Sequence, residues 1–150
     1  EMNLHIGPRT AERLKMTVGG VIKRDKEVLC EAKGISAITG LPRRVTVSSN
    51  DLCDIFEDFV YNITERAREV LEDTPPELHG DIIRDGIIMT GGGALLYGLD
   101  KRIAREIGVE CRLADNITEC VVRGSGIALD QIDTVTDPTH IYHKKAYIHE

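Results

Sequence analysis

A chain of 150 residues with 41% hydrophobic and 29% charged residues has the make-up of an ordinary soluble globular protein, large enough for one domain with a real core or two small lobes sharing a hinge. The formal net charge of −6 argues against a nucleic-acid partner, which would call for an excess of Lys and Arg to neutralise phosphates. No apolar run approaches the roughly 20 residues that span a bilayer, and Cys30, Cys53, Cys111 and Cys120 lack C-x-x-C spacing, so reduced thiols are expected and a structural zinc site is not.

Gly7-Pro8 opens a helix, because Pro at the first helical position already has the right φ and gives up only an amide that would be unpaired. Gly19-Gly20 closes it. Between them Ala11, Leu14 and Val18 recur at helical spacing, with Arg9, Thr10, Glu12, Arg13 and Lys15 on the polar side. Segments 27–35 and 43–48 read as strands, Val45 and Val47 alternating with Arg44, Thr46 and Ser48, and Gly40-Leu41-Pro42 turns the chain between them. Residues 1–49 therefore read as a small helix-plus-sheet subdomain with a thin core.

Ser48 with Asp51 three residues later fits a capping box. Leu52, Ile55, Phe56, Phe59, Val60, Ile63, Ala67, Val70 and Leu71 then recur at three-and-four spacing, which predicts a long amphipathic helix ending by Thr74-Pro75-Pro76. Burial of that stripe, at roughly 1.5–3 kcal/mol per large side chain, is expected to be the largest packing contribution. Pro76 stands at or near the start of a short helix, and Asp85-Gly86 turns into a strand over 87–90. After a triple glycine at 91–93, Leu99, Ile103 and Ile107 mark a helix stopped by Gly108, followed by a strand over 109–113, a loop at Ala114-Asp115-Asn116 and a helix over 118–132. Strand, helix, strand, helix is the pattern of an α/β layer, here residues 50–133. The remainder, 134–150, carries Pro138, His140, His143 and His149 and reads as a flexible tail, not a metal site.

The triple glycine carries the chemistry. Glycine lacks Cβ, so a ring or phosphate can lie against its backbone; a tight strand-to-helix connection would also account for it. Gly93 and Gly98 have the outer spacing of a P-loop, but Leu99 and Asp100 stand where that motif needs Lys and Ser or Thr. The dinucleotide fingerprint G-x-G-x-x-G, started at Gly91, would need glycine where Leu96 stands.

T-G-G-G-A-L-L-Y-G-L-D from Thr90 to Asp100, preceded by T-P-P-E-L-x-x-D-I-I-x-x-G-I from Thr74 to Ile87, resembles the adenosine motif of actin-fold ATPases, and specifically of the MreB family of bacterial actin homologues. I-G-x-R-T-A-E from Ile6 to Glu12, T-G-L-P-R from Thr39 to Arg43 and C-V-V-R-G-S-G from Cys120 to Gly126 follow the family's order, and the resemblance runs to about Asp133. It implies an α/β, actin-like (ribonuclease H-like) ATPase fold, of which this chain would be part of the second lobe. It implies ATP or ADP with Mg²⁺ as cofactors of the full-length protein, Gly91, Gly92 and Gly93 approaching the adenosine and Glu12 meeting the ribose hydroxyls. A solvated helix carboxylate is the other reading of Glu12. Gly124 and Gly126 resemble the small residues of the interdomain hinge, though plain helix packing explains them about as well. The sequence departs from the family at Pro8, where an acidic residue bearing on a sugar contact is usual, at Asn116, where Pro is usual, and at Tyr97, where a basic residue is common.

Actin-type hydrolysis relies on two D-x-G hairpins that hold phosphates and Mg²⁺, and this chain contains neither. No catalytic residue or metal ligand is assigned, and the chain alone is expected to be inactive. The resemblance makes it the C-terminal part of a filament-forming cytoskeletal protein that determines cell shape by guiding cell-wall synthesis, expected in the bacterial cytoplasm as membrane-associated filaments. Identical subunits, a RodZ-type membrane protein, the cell-wall synthesis machinery and the membrane surface, reached through segments outside this sequence, are the implied partners. A fragment of an actin-fold sugar or acetate kinase, an Hsp70-type chaperone ATPase and a non-catalytic filament-interaction module are the alternatives; T-P-P-E-L and T-G-L-P-R favour MreB over the kinase and the chaperone. If strands outside this sequence normally cover the long helix and the glycine layer, the chain by itself exposes apolar surface. It should therefore self-associate or unfold at low stability in sedimentation velocity and thermal denaturation; a monodisperse monomer melting cooperatively at high temperature would contradict this.

Overall fold

The first turn of helix α1 (Pro8–Val18) is set by Pro8, and Gly19 ends the helix with its amide bonded to the Lys15 carbonyl. In the computed structural model, which describes residues 2–130, this helix covers an antiparallel sheet of β1 (Leu4–His5), β2 (Leu29–Ser36) and β3 (Pro42–Ser48) in the order β1-β2-β3. Cys30 pairs with Val47 and Ala32 with Val45 on the inner face, where they pack with Leu14 and Val18. Leu29 and Ile35 lie on the other face and stay exposed, as period-two alternation requires. Strand β1, two residues long, has no periodicity to announce it. It is admitted by Gly34, at which a Cβ would stand 2.2 Å from the His5 carbonyl oxygen.

The second layer holds α2 (Glu57–Glu72), α3 (Pro76–Asp85), β4 (Ile87–Met89), α4 (Leu99–Ile107), β5 (Cys111–Leu113) and α5 (Cys120–Asp130). Strands β4 and β5 run parallel, with Ile87 opposite Cys111 and Met89 opposite Leu113, and α4 is their crossover. Val60 of α2 and Leu99 and Ile103 of α4 meet in a core that also takes Val21, with Ile22, Ile63 and Met89 packed against it. Val21 and Ile22 thus leave the sheet core for this one, although they lie among the first 49 residues.

Four expectations need correction. Half of the box at Ser48 and Asp51 forms, the Asp51 carboxylate accepting the Ser48 amide at 3.2 Å, but the Ser48 hydroxyl accepts the Asn50 amide at 3.1 Å and not that of Asp51. These two bonds close a turn that runs into a 3-10 segment, Cys53–Phe56, and α2 begins only at Glu57. The apolar stripe is also split. Val60 is buried, whereas Ile55, Phe59 and Val70 are 69%, 42% and 66% exposed; Ile55 belongs to the 3-10 segment, where the helical spacing no longer applies, and Phe59 and Val70 lie toward one edge of the α2 projection, away from buried Val60. The strand expected over 109–113 is shorter, and the helix expected over 118–132 runs over Cys120–Asp130. Its expected end, and the tail with its histidines, lie outside the described residues.

Helices α2 and α4 are also joined by charge. Arg102, 18% exposed, donates to both carboxylate oxygens of Glu57 at 3.0 and 2.8 Å and also bonds Glu106. The Arg102 hydrogen bonds hold the Glu57 carboxyl below its ordinary pKa. A carboxyl depressed on folding stabilises the native state above its unfolded pKa and loses that contribution as pH falls through the folded value. Glu57→Gln should therefore lower the urea midpoint at pH 7, with the gap from wild type closing once the pH drops below the ordinary glutamate range.

Candidate functional site

The triple glycine sits between β4 and α4, where the chain leaves the parallel pair. Gly91 has φ +84°, a conformation that favours glycine, and Gly92–Leu95 form a 3-10 turn closed by the Ala94 amide on the Gly91 carbonyl at 3.1 Å and the Leu96 amide on the Gly93 carbonyl at 3.2 Å. A Cβ added at Gly91, Gly92 or Gly93 would meet no atom within 4 Å. The turn's geometry accounts for Gly91, but neither backbone angle nor packing calls for glycine at 92 or 93. Their bare backbone faces open space, as a ligand approaching the main chain requires.

Helix α1 reaches this turn by its C-terminal end. Gly20 and Tyr97 form a parallel backbone bridge, the Val21 amide donating to the Tyr97 carbonyl at 2.9 Å and the Tyr97 amide to the Gly19 carbonyl at 3.4 Å. Glu12 lies about two helical turns earlier. Its carboxylate is 58% exposed and pairs with Lys15 at 2.9 Å, so the structure places it on the helix that meets the turn without a direct bond to the turn itself. Gly124 and Gly126 stand on α5, where a Cβ at either would meet nothing within 4 Å and no side chain is buried. The close helix packing expected there involves no described residue.

Three further groups shape the site. The Arg24 guanidinium lies 4.0 Å from the centroid of the Tyr97 ring, and Asn50 clamps the Arg24 backbone by accepting its amide at 2.9 Å and donating to its carbonyl at 3.3 Å. The Ile117 carbonyl accepts the Gly91 amide at 2.9 Å and the Thr90 hydroxyl at 3.0 Å. Tyr97 was visible only as a departure from the family pattern, and a backbone carbonyl such as that of Ile117 leaves no mark in a sequence. An apolar groove of about 290 Å³ lined by Leu71, His79, Ile82, Ile107 and Val109, and another of about 450 Å³ beside Leu14, Val45, Leu52 and Ile55, include none of Gly91, Gly92, Gly93 or Glu12.

Among the described residues no three His, Cys, Asp or Glu gather to hold a metal ion, and no helix is long and apolar enough to cross a membrane. All four cysteines are free. Burial pushes the Cys53 and Cys111 thiols up, which keeps them protonated at neutral pH.

The family model for MreB/Mbl protein matches residues 1–137. The chain belongs to the MreB/Mbl family. It is 43% identical over 133 residues to the cell shape-determining protein Mbl of Bacillus subtilis, covering 89% of this chain and 40% of that protein. It is 38% identical over 128 residues to the cell shape-determining protein MreB of Escherichia coli, covering 85% and 37%. The crystal structure of MreB5 of Spiroplasma citri bound to ADP superposes with a TM-score of 0.84 at 34% identity over 89% of this chain and 41% of that one. The same protein bound to AMPPNP gives 0.83. This MreB/Mbl chain thus spans about two-fifths of the length of the relatives it matches. The α/β fold of actin-like kind expected from the sequence is the fold found, and membership of this family decides against the sugar-kinase and chaperone readings.

Gly98, directly after the Tyr97 bridge, has φ +78°, and a Cβ there would lie 2.2 Å from Ile22 Cγ1; Gly108 has the same φ with open space around it. Gly108→Ala should cost about 1–2 kcal/mol for the left-handed backbone alone. Gly98→Ala should add roughly 1–3 kcal/mol of overpacking. Urea unfolding of the two variants checks the difference, and equal costs would mean that Ile22 moves aside freely.

Proposed function

We propose that this MreB/Mbl chain supplies the adenosine side of an ATP cleft in a filament-forming, cell shape-determining protein. The observation that carries the reading is the open backbone of Gly92 and Gly93, in a chain similar over 89% of its length to an MreB protein solved with ADP and with AMPPNP. The glycine backbone lies against the nucleoside, where any Cβ would intrude, and Glu12 accepts hydrogen bonds from the ribose hydroxyls. Phosphates and Mg²⁺ are held by the D-x-G hairpins of the longer protein, so hydrolysis belongs to groups outside this chain. ATP occupancy favours head-to-tail assembly of identical subunits. The filament works in the cytoplasm against the membrane, with a RodZ-type membrane protein and the cell-wall synthesis machinery as partners, and guides wall growth. Gly124 and Gly126 allow the two halves of that protein to shear at its hinge.

In the intact protein, Gly92→Val should weaken ADP binding in calorimetry at least about tenfold, roughly 1.4 kcal/mol or more. Because nothing lies within 4 Å of the new Cβ, stability should stay within about 0.5–1 kcal/mol of wild type. Glu12→Gln should lose about tenfold in affinity with the charged hydrogen bond. Its exposed pair with Lys15 contributes only about 0–1 kcal/mol to folding. Wild-type affinity in both variants would sink the site.

A further inference from the structure

The loop between β5 and α5 holds the glycine turn from behind. It is pinned upstream by the Ala114 amide on the Met89 carbonyl at 2.9 Å, and downstream by the Glu119 amide on the Asn116 carbonyl at 2.7 Å. Between these pins Asn116 has φ +51°, and of the described residues other than glycine only Asn3 shares the left-handed region. Asn tolerates that region better than most side chains. One left-handed residue redirects the chain within a single step, and the next carbonyl, that of Ile117, lands where both the Gly91 amide and the Thr90 hydroxyl donate to it. Those two groups are the last hydrogen-bond donors before the bare backbone of Gly92 and Gly93.

We propose that Asn116 is a positioning residue for the nucleotide turn: through the Ile117 carbonyl, its left-handed backbone holds Thr90 and Gly91 so that Gly92 and Gly93 stay open, and this sets affinity for an adenine nucleotide. The inference rests on the nucleotide reading above. Asn116 itself touches no ligand. Proline, locked near φ −65°, is barred from the conformation found at this position.

The test uses the intact protein with three readouts: hydrogen exchange of the Gly91 amide without nucleotide, ADP affinity by calorimetry, and the thermal midpoint. Asn116→Gly, which keeps the left-handed region open, should hold Gly91 exchange and ADP affinity within about twofold of wild type. Asn116→Pro should raise Gly91 exchange and weaken ADP binding, each about tenfold or more, as expected for loss of an amide bond that fixes a site. Thr90→Val, which removes one of the two donors, should fall between. Should Asn116→Pro fail to fold, Asn116→Val takes its place, since a β-branched residue resists positive φ while keeping its amide. Wild-type Gly91 protection and ADP affinity in a folded Pro or Val variant would overturn the proposal, as would a Gly91 amide that exchanges freely in wild type. Wild-type protein that binds no ADP at millimolar concentration would overturn the nucleotide reading and with it the affinity claim, whatever Gly91 does.

Discussion

One parallel backbone contact, between Gly20 and Tyr97, indexes the two layers of this chain against each other. It sits where α1 ends and where the chain leaves the glycine turn, so helix, turn and the start of α4 share a single fixed point. The contact exists because side chains are missing around it. A Cβ at Gly20 would lie 3.2 Å from that of Tyr97, one at Gly19 only 2.3 Å from the Lys15 carbonyl, and one at Gly98 inside Ile22. With the backbones together, Val21 is buried against Val60, Leu99 and Ile103, and Arg24 folds over the Tyr97 ring. A cation over an aromatic face at such a partly exposed place adds about 0.5–1 kcal/mol, a small supplement to the burial of Val21.

Much of this was legible in the sequence for physical reasons. Pro8 and Gly19 bound α1, Gly108 stops α4 in a left-handed cap, and the alternation around Val45 and Val47 gave the inner face of β3, because these signals are local. The misreadings share a cause: each depended on what lies across from the residue. Of the Ser48–Asp51 box only the bond from the Ser48 amide to the Asp51 carboxylate forms, the Ser48 hydroxyl taking the Asn50 amide instead, and the next residues wind as a 3-10 segment before α2 starts. Ile55, Phe59 and Val70 satisfy helical spacing but stay largely exposed. Val21 and Ile22 join a core that local pattern assigns to residues beyond position 50. At the site, glycine identity exposed Gly91, Gly92 and Gly93, whereas the Ile117 carbonyl and the left-handed Asn116 are facts of backbone direction and not of composition.

The exposed apolar residues have a common logic. Helix α5 is apolar on several sides, with Val121, Val122 and Leu129 each about two-thirds exposed or more, and a helix hydrophobic all round belongs in an interior. Its persistence depends on surfaces other than the two cores described here, in keeping with a chain that spans about two-fifths of its relatives' length.

The parallel pairing of β4 with β5 also orders events in time. The hairpin of β2 and β3 closes over a short turn, so its contacts are rewarded as soon as they form. Strands β4 and β5 cannot meet until the intervening segment, glycine turn and α4 included, has folded back across them, and the entropy of that closure precedes any gain from pairing. On loop closure alone, the pairing of β4 with β5 is expected to follow that of the β2–β3 hairpin as the chain folds, so the glycine turn takes its final shape only after its two flanking strands have been brought together.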